Sequence, residues 1–292
     1  MNQTKKKNPL KRLLSMRGMG QVVTVTIGLI VLLVAFALIN PNFWSPTNRT
    51  NLLRQIAPIL IIGIAQSYVL ITGNIDLSIG SVVGMSTMVA ATLMSKGIMS
   101  PIPALLVTLL CCLLIGVLNG LLVAKFKLPP FIATLGTMTV ARGIAQLVNG
   151  NYNTDSIMKF YPEAAQTFKN VFYYGKTLGL YNGIWIAIIL WIVFNFLLSK
   201  TRTGRYIYAT GSNIDAARLS GVNVVSTTVI AYVVSAFCSF VVGIITCATV
   251  GQGTMDAGNS YEMYAVAASV IGGVSTLGGQ GILLGTVVGA AI

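Results

Sequence analysis

Eight long stretches nearly free of charge dominate this chain: residues 21–39, 55–72, 77–95, 102–124, 129–148, 181–198, 224–250 and 263–292, with Arg142 the one charged side chain inside them. A helix rising 1.5 Å per residue needs roughly 20 apolar residues to cross a hydrocarbon layer about 30 Å thick. Stretches of this length and number imply an all-α polytopic membrane protein with about eight to ten transmembrane helices, some of them broken. Little is left for a soluble domain. Charged residues make up 9% of the chain, against about 25% in ordinary soluble proteins. The last stretch contains GGVSTLGGQG (272–281) and reads as a short helix, a tight connection and the start of another. It stops at Ile292 without the charges or aromatics that normally end a crossing, which reads as a chain cut within one. The expected organisation is a basic tail over 1–20 and a single transmembrane domain over 21–292.

A basic segment (Lys5, Lys6, Lys7, Lys11, Arg12, Arg17) precedes the first stretch, which is longer than a signal-peptide core and ends in LINPNFW rather than at a small-residue cleavage site. It reads as an uncleaved crossing. Positive charge is retained on the cytoplasmic side of membranes, so the N-terminus is expected there. Alternation then places Lys125, Lys127, Lys200, Arg202, Arg205 and Arg218 inside as well, twelve with the tail, and only the six Arg49, Arg54, Lys96, Lys159, Lys169 and Lys176 outside. This bias explains the net charge of +13 without a nucleic-acid partner. The outer loop over 149–180 is long and rich in Tyr and Phe, which suits an interfacial belt or a short surface helix.

The chain has no histidine, which excludes histidine-based acid–base chemistry, Ser-His-Asp triads and histidine metal sites. Cys111, Cys112, Cys238 and Cys247 all fall inside apolar stretches and read as packing residues, so no metal site is expected. The segment NVFYYGKT (170–177) carries Gly175, Lys176 and Thr177, but a phosphate loop needs a second glycine at 170, where Asn stands. No nucleotide site is expected on this chain.

Ionisable groups inside a membrane are costly and point to function. Asp76, beside Asn74 and Ser78 in ITGNIDLSIGS (71–81), lies at the break between two stretches. It fits a broken helix lining a path or gate, and equally a carboxylate in a short turn that caps the next helix. Arg142 is either a path residue or, as we favour, one snorkelling to the interface. Gln66, Asn119 and Gln146 read as bridges between helices. Gly80 with Gly84, Gly116 with Gly120, and Gly285 with Gly289 form small-xxx-small pairs, which let helices pack backbone to backbone.

The loop over 199–223 carries a compact signal. After Gly211, Ser212 or Asn213 can cap a helix. Asp215 stands in its first turn, Arg218 near its end, and Gly221 can terminate it. So short a helix is marginal in water and needs something to pack against, either the chain's own membrane ends or a partner.

Asp215, Ala216, Ala217 and Gly221 resemble the Glu-Ala-Ala-x-x-x-Gly signature of permease subunits of ATP-binding-cassette importers. GNIDLSIGS (73–81), GSNIDAARLSGVNV (211–224) and SVIGGVSTLGGQGILLGTVVGA (269–290) are similar to the ribose, xylose and galactose permease branch, in the expected order and over nearly the whole chain. The signature's later Ile-x-Leu-Pro part is absent, and Asp215 replaces its Glu. The resemblance implies a multi-pass subunit of the bacterial cytoplasmic (inner) membrane that works as a homo- or heterodimer. It implies a separate cytoplasmic ATPase, which holds the ATP, so that no cofactor sits on this chain. It also implies an extracytoplasmic sugar-binding protein that delivers a monosaccharide. Residues 213–220, with Asn213, Asp215, Ala216, Ala217, Arg218 and Gly221, would form the coupling helix seated in the ATPase, and Asn74, Asp76 and Ser78 the path or gate. The alternative is an ion-coupled secondary transporter of a small polar solute, with Asp76 as its one acidic candidate.

Overall fold

The computed structural model describes residues 19–292, so the basic tail and its six charges lie outside the described residues. Each long apolar stretch but the last becomes one helix, because backbone groups in lipid must be satisfied within their own segment, and the last becomes two short helices joined by the glycine-rich segment 272–282, as expected. Twelve helices follow in order: α1 (Met19–Ile39), α2 (Pro46–Ile71), α3 (Ile79–Ser95), α4 (Pro101–Ala124), α5 (Pro130–Leu147), α6 (Pro162–Lys169), α7 (Asn182–Lys200), α8 (Arg202–Ser212), α9 (Ile214–Leu219), α10 (Val224–Val250), α11 (Tyr261–Ile271) and α12 (Leu283–Ala291). Five of them, α1, α2, α4, α7 and α10, are long and apolar enough to cross a membrane. Proline in the first turn starts α2, α4, α5 and α6, where its missing N–H leaves nothing unsatisfied.

α2 and α10 form the core of the bundle, and α10 is buried along most of its length against α4, α3 and α2. Glycines set the close approaches. A Cβ on Gly116 would lie 2.7 Å from that of Ala236, and one on Gly120 2.6 Å from the Cα of Val229, so α4 and α10 meet backbone to backbone. Gly285 likewise lies against the Gly272 carbonyl and Gly289 against that of Ala268, which joins α12 to α11.

The bundle has two faces. On one, α8 and α9 lie beside the end of α2 and the loop after α11: Gly279 N donates to Ile71 O (2.8 Å) and Tyr208 Oη to Gly281 O (2.7 Å). The start of α1 is here too, with Gln21 against Gly273. On the opposite face the outer loop folds into α6, a π-helical turn (Asn170–Tyr174) and a small hairpin of β1 (Lys176–Thr177) and β2 (Leu180–Tyr181). Leu178 and Gly179, both with positive φ, make its two-residue turn. The Arg54 guanidinium is sandwiched 4.4 Å from the ring centres of both Tyr173 and Tyr181, fixing the hairpin to the start of α2.

Two helices begin inside the bundle rather than at one of its faces. α3, with 17 residues, and α11, with 11, rise about 25 and 16 Å, short of the roughly 30 Å of a bilayer core. Each follows a non-helical segment that turns back into the bundle, 72–78 from the α9 face and the turn-rich 251–260 from the hairpin face. The two starts meet inside, where Gly258 packs against the Gly80 carbonyl. The pairing is written in the sequence at an offset of 180, with Gly63, Ile64, Gly73 and Asp76 matched by Gly243, Ile244, Gly253 and Asp256. The two copies run in opposite directions, since the start of α2 and the end of α10 both reach the hairpin face through Arg54 and through Tyr174 Oη to Thr249 O. Such inverted repeats put broken helices at the centre of many transporters.

Candidate functional site

The α9 segment is built from its caps. Asn213 accepts from Ala216 N at 2.9 Å and satisfies one of the free donors of the first turn, so of the two candidate caps it is Asn213 that acts. Asp215 lies in the first turn and Arg218 in the last, each favoured there by the helix dipole, and they approach to 3.6 Å. Gly221, at φ 81°, takes the left-handed conformation that ends the segment, and Asn223 then caps α10 through Ser226 N. A second helix, α8, precedes α9, capped by Thr201 at Gly204 N (3.3 Å). The motif is thus helix, cap, helix, cap, and the sequence reading had only the last part. Ala217 is buried against the protein, whereas Ile214, Asp215, Ala216, Arg218 and Leu219 are exposed, Leu219 to 90%. The segment stands out as a knob.

A cavity of about 390 Å³ runs beside it, lined in part by Asn74, Lys127, Thr210, Ile214 and Arg218. Asn74 is half-buried there and donates to the Thr72 hydroxyl at 2.8 Å.

Asp76 lies deeper, 3% exposed, and both its oxygens are used. Oδ1 accepts from Ser78 N (2.9 Å) and Ser78 Oγ (2.6 Å), and Oδ2 from Ser235 Oγ of α10 (2.7 Å). Asn119 Nδ2 donates to Ser78 Oγ (2.9 Å), Thr137 Oγ1 to Asn119 Oδ1 (2.6 Å) and Tyr232 Oη to Ile75 O (3.0 Å). One polar chain therefore ties α5, α4, the segment 72–78 and α10 together. Asn119 bridges helices as expected. Gln66 does not: its amide is buried without a partner among the described residues, and Gln146 is exposed.

Arg142 corrects the sequence reading. It does not snorkel outward. It turns inward, packs against Gly84, and donates from one guanidinium nitrogen to Met255 O (3.0 Å) and Ala257 O (2.9 Å), holding the second re-entrant segment. Those carbonyls have no helical partner, so a cation inside the bundle satisfies them better than water at the interface could. Gly84 gives it room, while Gly80 gives room to Glu262. Among the described residues no cluster of acidic or cysteine side chains is placed to hold a metal.

Residues 48–292 match the family described as the branched-chain amino acid transport system permease component. The chain belongs to that permease family. It is 40% identical over 269 residues to the ribose import permease protein of Haemophilus influenzae, covering 91% of this chain and 81% of that one. It is 36% identical to the galactofuranose transporter permease protein of Escherichia coli, covering 97% and 82%, and 32% identical to the autoinducer 2 import system permease protein of an E. coli strain, covering 92% and 76%. No solved structure matches it.

Proposed function

We propose that this permease is the membrane-spanning subunit of an ATP-driven importer. It translocates a monosaccharide delivered by an extracytoplasmic binding protein and is powered by a separate cytoplasmic ATPase that holds the nucleotide. Two permease subunits, identical or related, would form the path in the bacterial cytoplasmic membrane. The observation that carries this reading is the α9 knob, a doubly capped and exposed element in a chain similar to ribose and galactofuranose permeases. On this reading the α9 face is cytoplasmic, in line with the start of α1 and the cations Lys125, Lys127, Lys200, Arg202, Arg205 and Arg218.

On this reading coupling runs from α9 into α10. α9 leads through Gly221 directly into α10, and α10 is tied by Ser235 to Asp76 and onward through Ser78 and Asn119 to α5. On this reading a displacement of the knob by a closing ATPase reaches α5 through hydrogen bonds and packing, biasing two packings that differ by about a few kcal/mol. Hydrogen bonds to both Asp76 oxygens disfavour Asp76 as the ion-loading carboxylate of a secondary carrier, which must be free to load and release a cation.

Proteoliposomes holding the permease, its ATPase and its binding protein test this. Uptake of D-ribose is expected only with ATP present on the ATPase side. Uptake by the permease alone, driven by a proton or sodium gradient, would overturn the reading.

A further inference from the structure

Glu262 is an acidic side chain inside the bundle to which neither the Asp76 chain nor the α9 knob gives a role. It is the second residue of α11 and so lies where the starts of α3 and α11 meet, well inside the bundle. Its Oε2 is buried against Gly80 and has no hydrogen-bond partner among the described residues. It makes no ion pair with Arg142, whose bonds go to the Met255 and Ala257 carbonyls just before α11. The same side chain borders a groove of about 600 Å³ between α11 and α5, walled by Leu77, Leu135, Met138, Val266 and Val270.

A carboxylate at this depth cannot be left facing hydrocarbon, because neither lipid tails nor the apolar walls replace its lost hydration. Water or a polar solute in the groove would supply that hydration. A half-buried carboxylate set in apolar walls suits a neutral polyhydroxylated ring: the oxygen not sealed against Gly80 accepts from a ring hydroxyl, and the ring's C–H faces lie on Leu135, Met138 and Val266. A charged solute fits less well, since an anion meets Glu262 and a cation meets Arg142 nearby.

We propose that the groove between α5 and α11 is this subunit's side of the translocation path, and that Glu262 is a specificity-determining residue that hydrogen-bonds a hydroxyl of the passing monosaccharide. The sugar assignment rests on the proposed function; the path assignment does not. Arg142 positions the loop that leads into α11 and so to Glu262, and the Asp76 chain stiffens the wall opposite.

Two measurements test the proposal. In the first, Met263→Cys in the groove and Leu106→Cys on the outer side of α4 are exposed to a charged, membrane-impermeant thiol reagent, with the native chain as blank. Met263→Cys is expected to react about 10-fold faster, since a thiol must meet water to ionise. Equal, slow reaction would overturn the path assignment and show a face covered by lipid or by a second copy. In the second, D-ribose uptake is compared for wild type, Glu262→Gln and Glu262→Leu in the full complex, with assembly checked by size exclusion. Losing a charge-assisted hydrogen bond should cut uptake about 10-fold or more for Glu262→Leu and less for Glu262→Gln, which keeps an acceptor. Wild-type rates in both variants would overturn the role of Glu262 while leaving the importer reading intact. Failure of ATP-dependent uptake by the wild type would instead strike the importer reading.

Discussion

Replacing Asp76 by leucine removes the acceptor for three groups at once: Ser78 N, Ser78 Oγ and Ser235 Oγ, at 2.9, 2.6 and 2.7 Å. All lie in a sealed part of the bundle where water cannot stand in. A buried donor left unsatisfied costs about 1–3 kcal/mol, and part of the leucine's burial offsets this, so a net loss of about 4 kcal/mol is expected. Asparagine keeps one carbonyl oxygen for the Ser78 donors, and the Ser235 hydroxyl can rotate to accept from its amide. Only the charge assistance is lost there, about 1 kcal/mol. The assay is thermal unfolding in detergent with a thiol-reactive fluorophore, because Cys112, Cys238 and Cys247 are fully buried in the folded chain. At about 2–4 °C per kcal/mol for domains somewhat smaller than this one, the leucine variant should melt roughly 10 °C lower and the asparagine variant only a few degrees lower. If Asp76→Leu melts with the wild type, or Asp76→Asn falls as far as Asp76→Leu, the hydrogen-bond argument is wrong.

Gly116→Leu drives side-chain atoms into Ala236 and the Tyr232 carbonyl, so it should destabilise by about 1–3 kcal/mol or more, read as a lower melting temperature in the same assay. Arg54→Leu empties the space between Tyr173 and Tyr181. A loss of about 1–2 kcal/mol of local stability should show as faster proteolytic cutting at the hairpin, with the melting of the bundle little changed. Asn213→Ala removes the α9 cap, worth about 1 kcal/mol, and should lower ATP-driven uptake while leaving membrane insertion intact.

Much of this architecture is legible in the sequence because hydrocarbon imposes one simple rule on it. The stretch 224–250 coincides with α10, and 102–124 and 129–148 fall within a residue or so of α4 and α5. α2 starts nine residues before the apolar stretch at 55, because Thr47, Asn48, Arg49 and Asn51 are polar yet helical under the Ser45 cap. α8 went unseen because amphipathic helices beside a membrane lack the long apolar signature. The inward start of α3 was hidden as well, since hydropathy records only that 77–95 is apolar, whereas the glycines of 272–281 already marked α11 as a short helix. Glu262 escaped notice because it stands one residue before the stretch at 263 and so counted as loop. The match between residues 63–76 and 243–256 was the available signal for both re-entrant segments, and it links Asp76 with Asp256 directly. Arg142 misled for a related reason: snorkelling is the general remedy for a cation near lipid, and only the fold shows two unpaired carbonyls within its reach. The caps of α9 were readable because they are local chemistry, contained in Asn213, Asp215, Arg218 and Gly221.

Site-specific photo-crosslinking at two exposed positions tests the central claim most directly. A crosslinker at Leu219, on the α9 knob, is predicted to capture the nucleotide-hydrolysing subunit from the assembled complex in membranes, whereas one at Leu178, in the hairpin turn, captures none of it. Capture of that subunit from Leu178 and not from Leu219 would contradict the account.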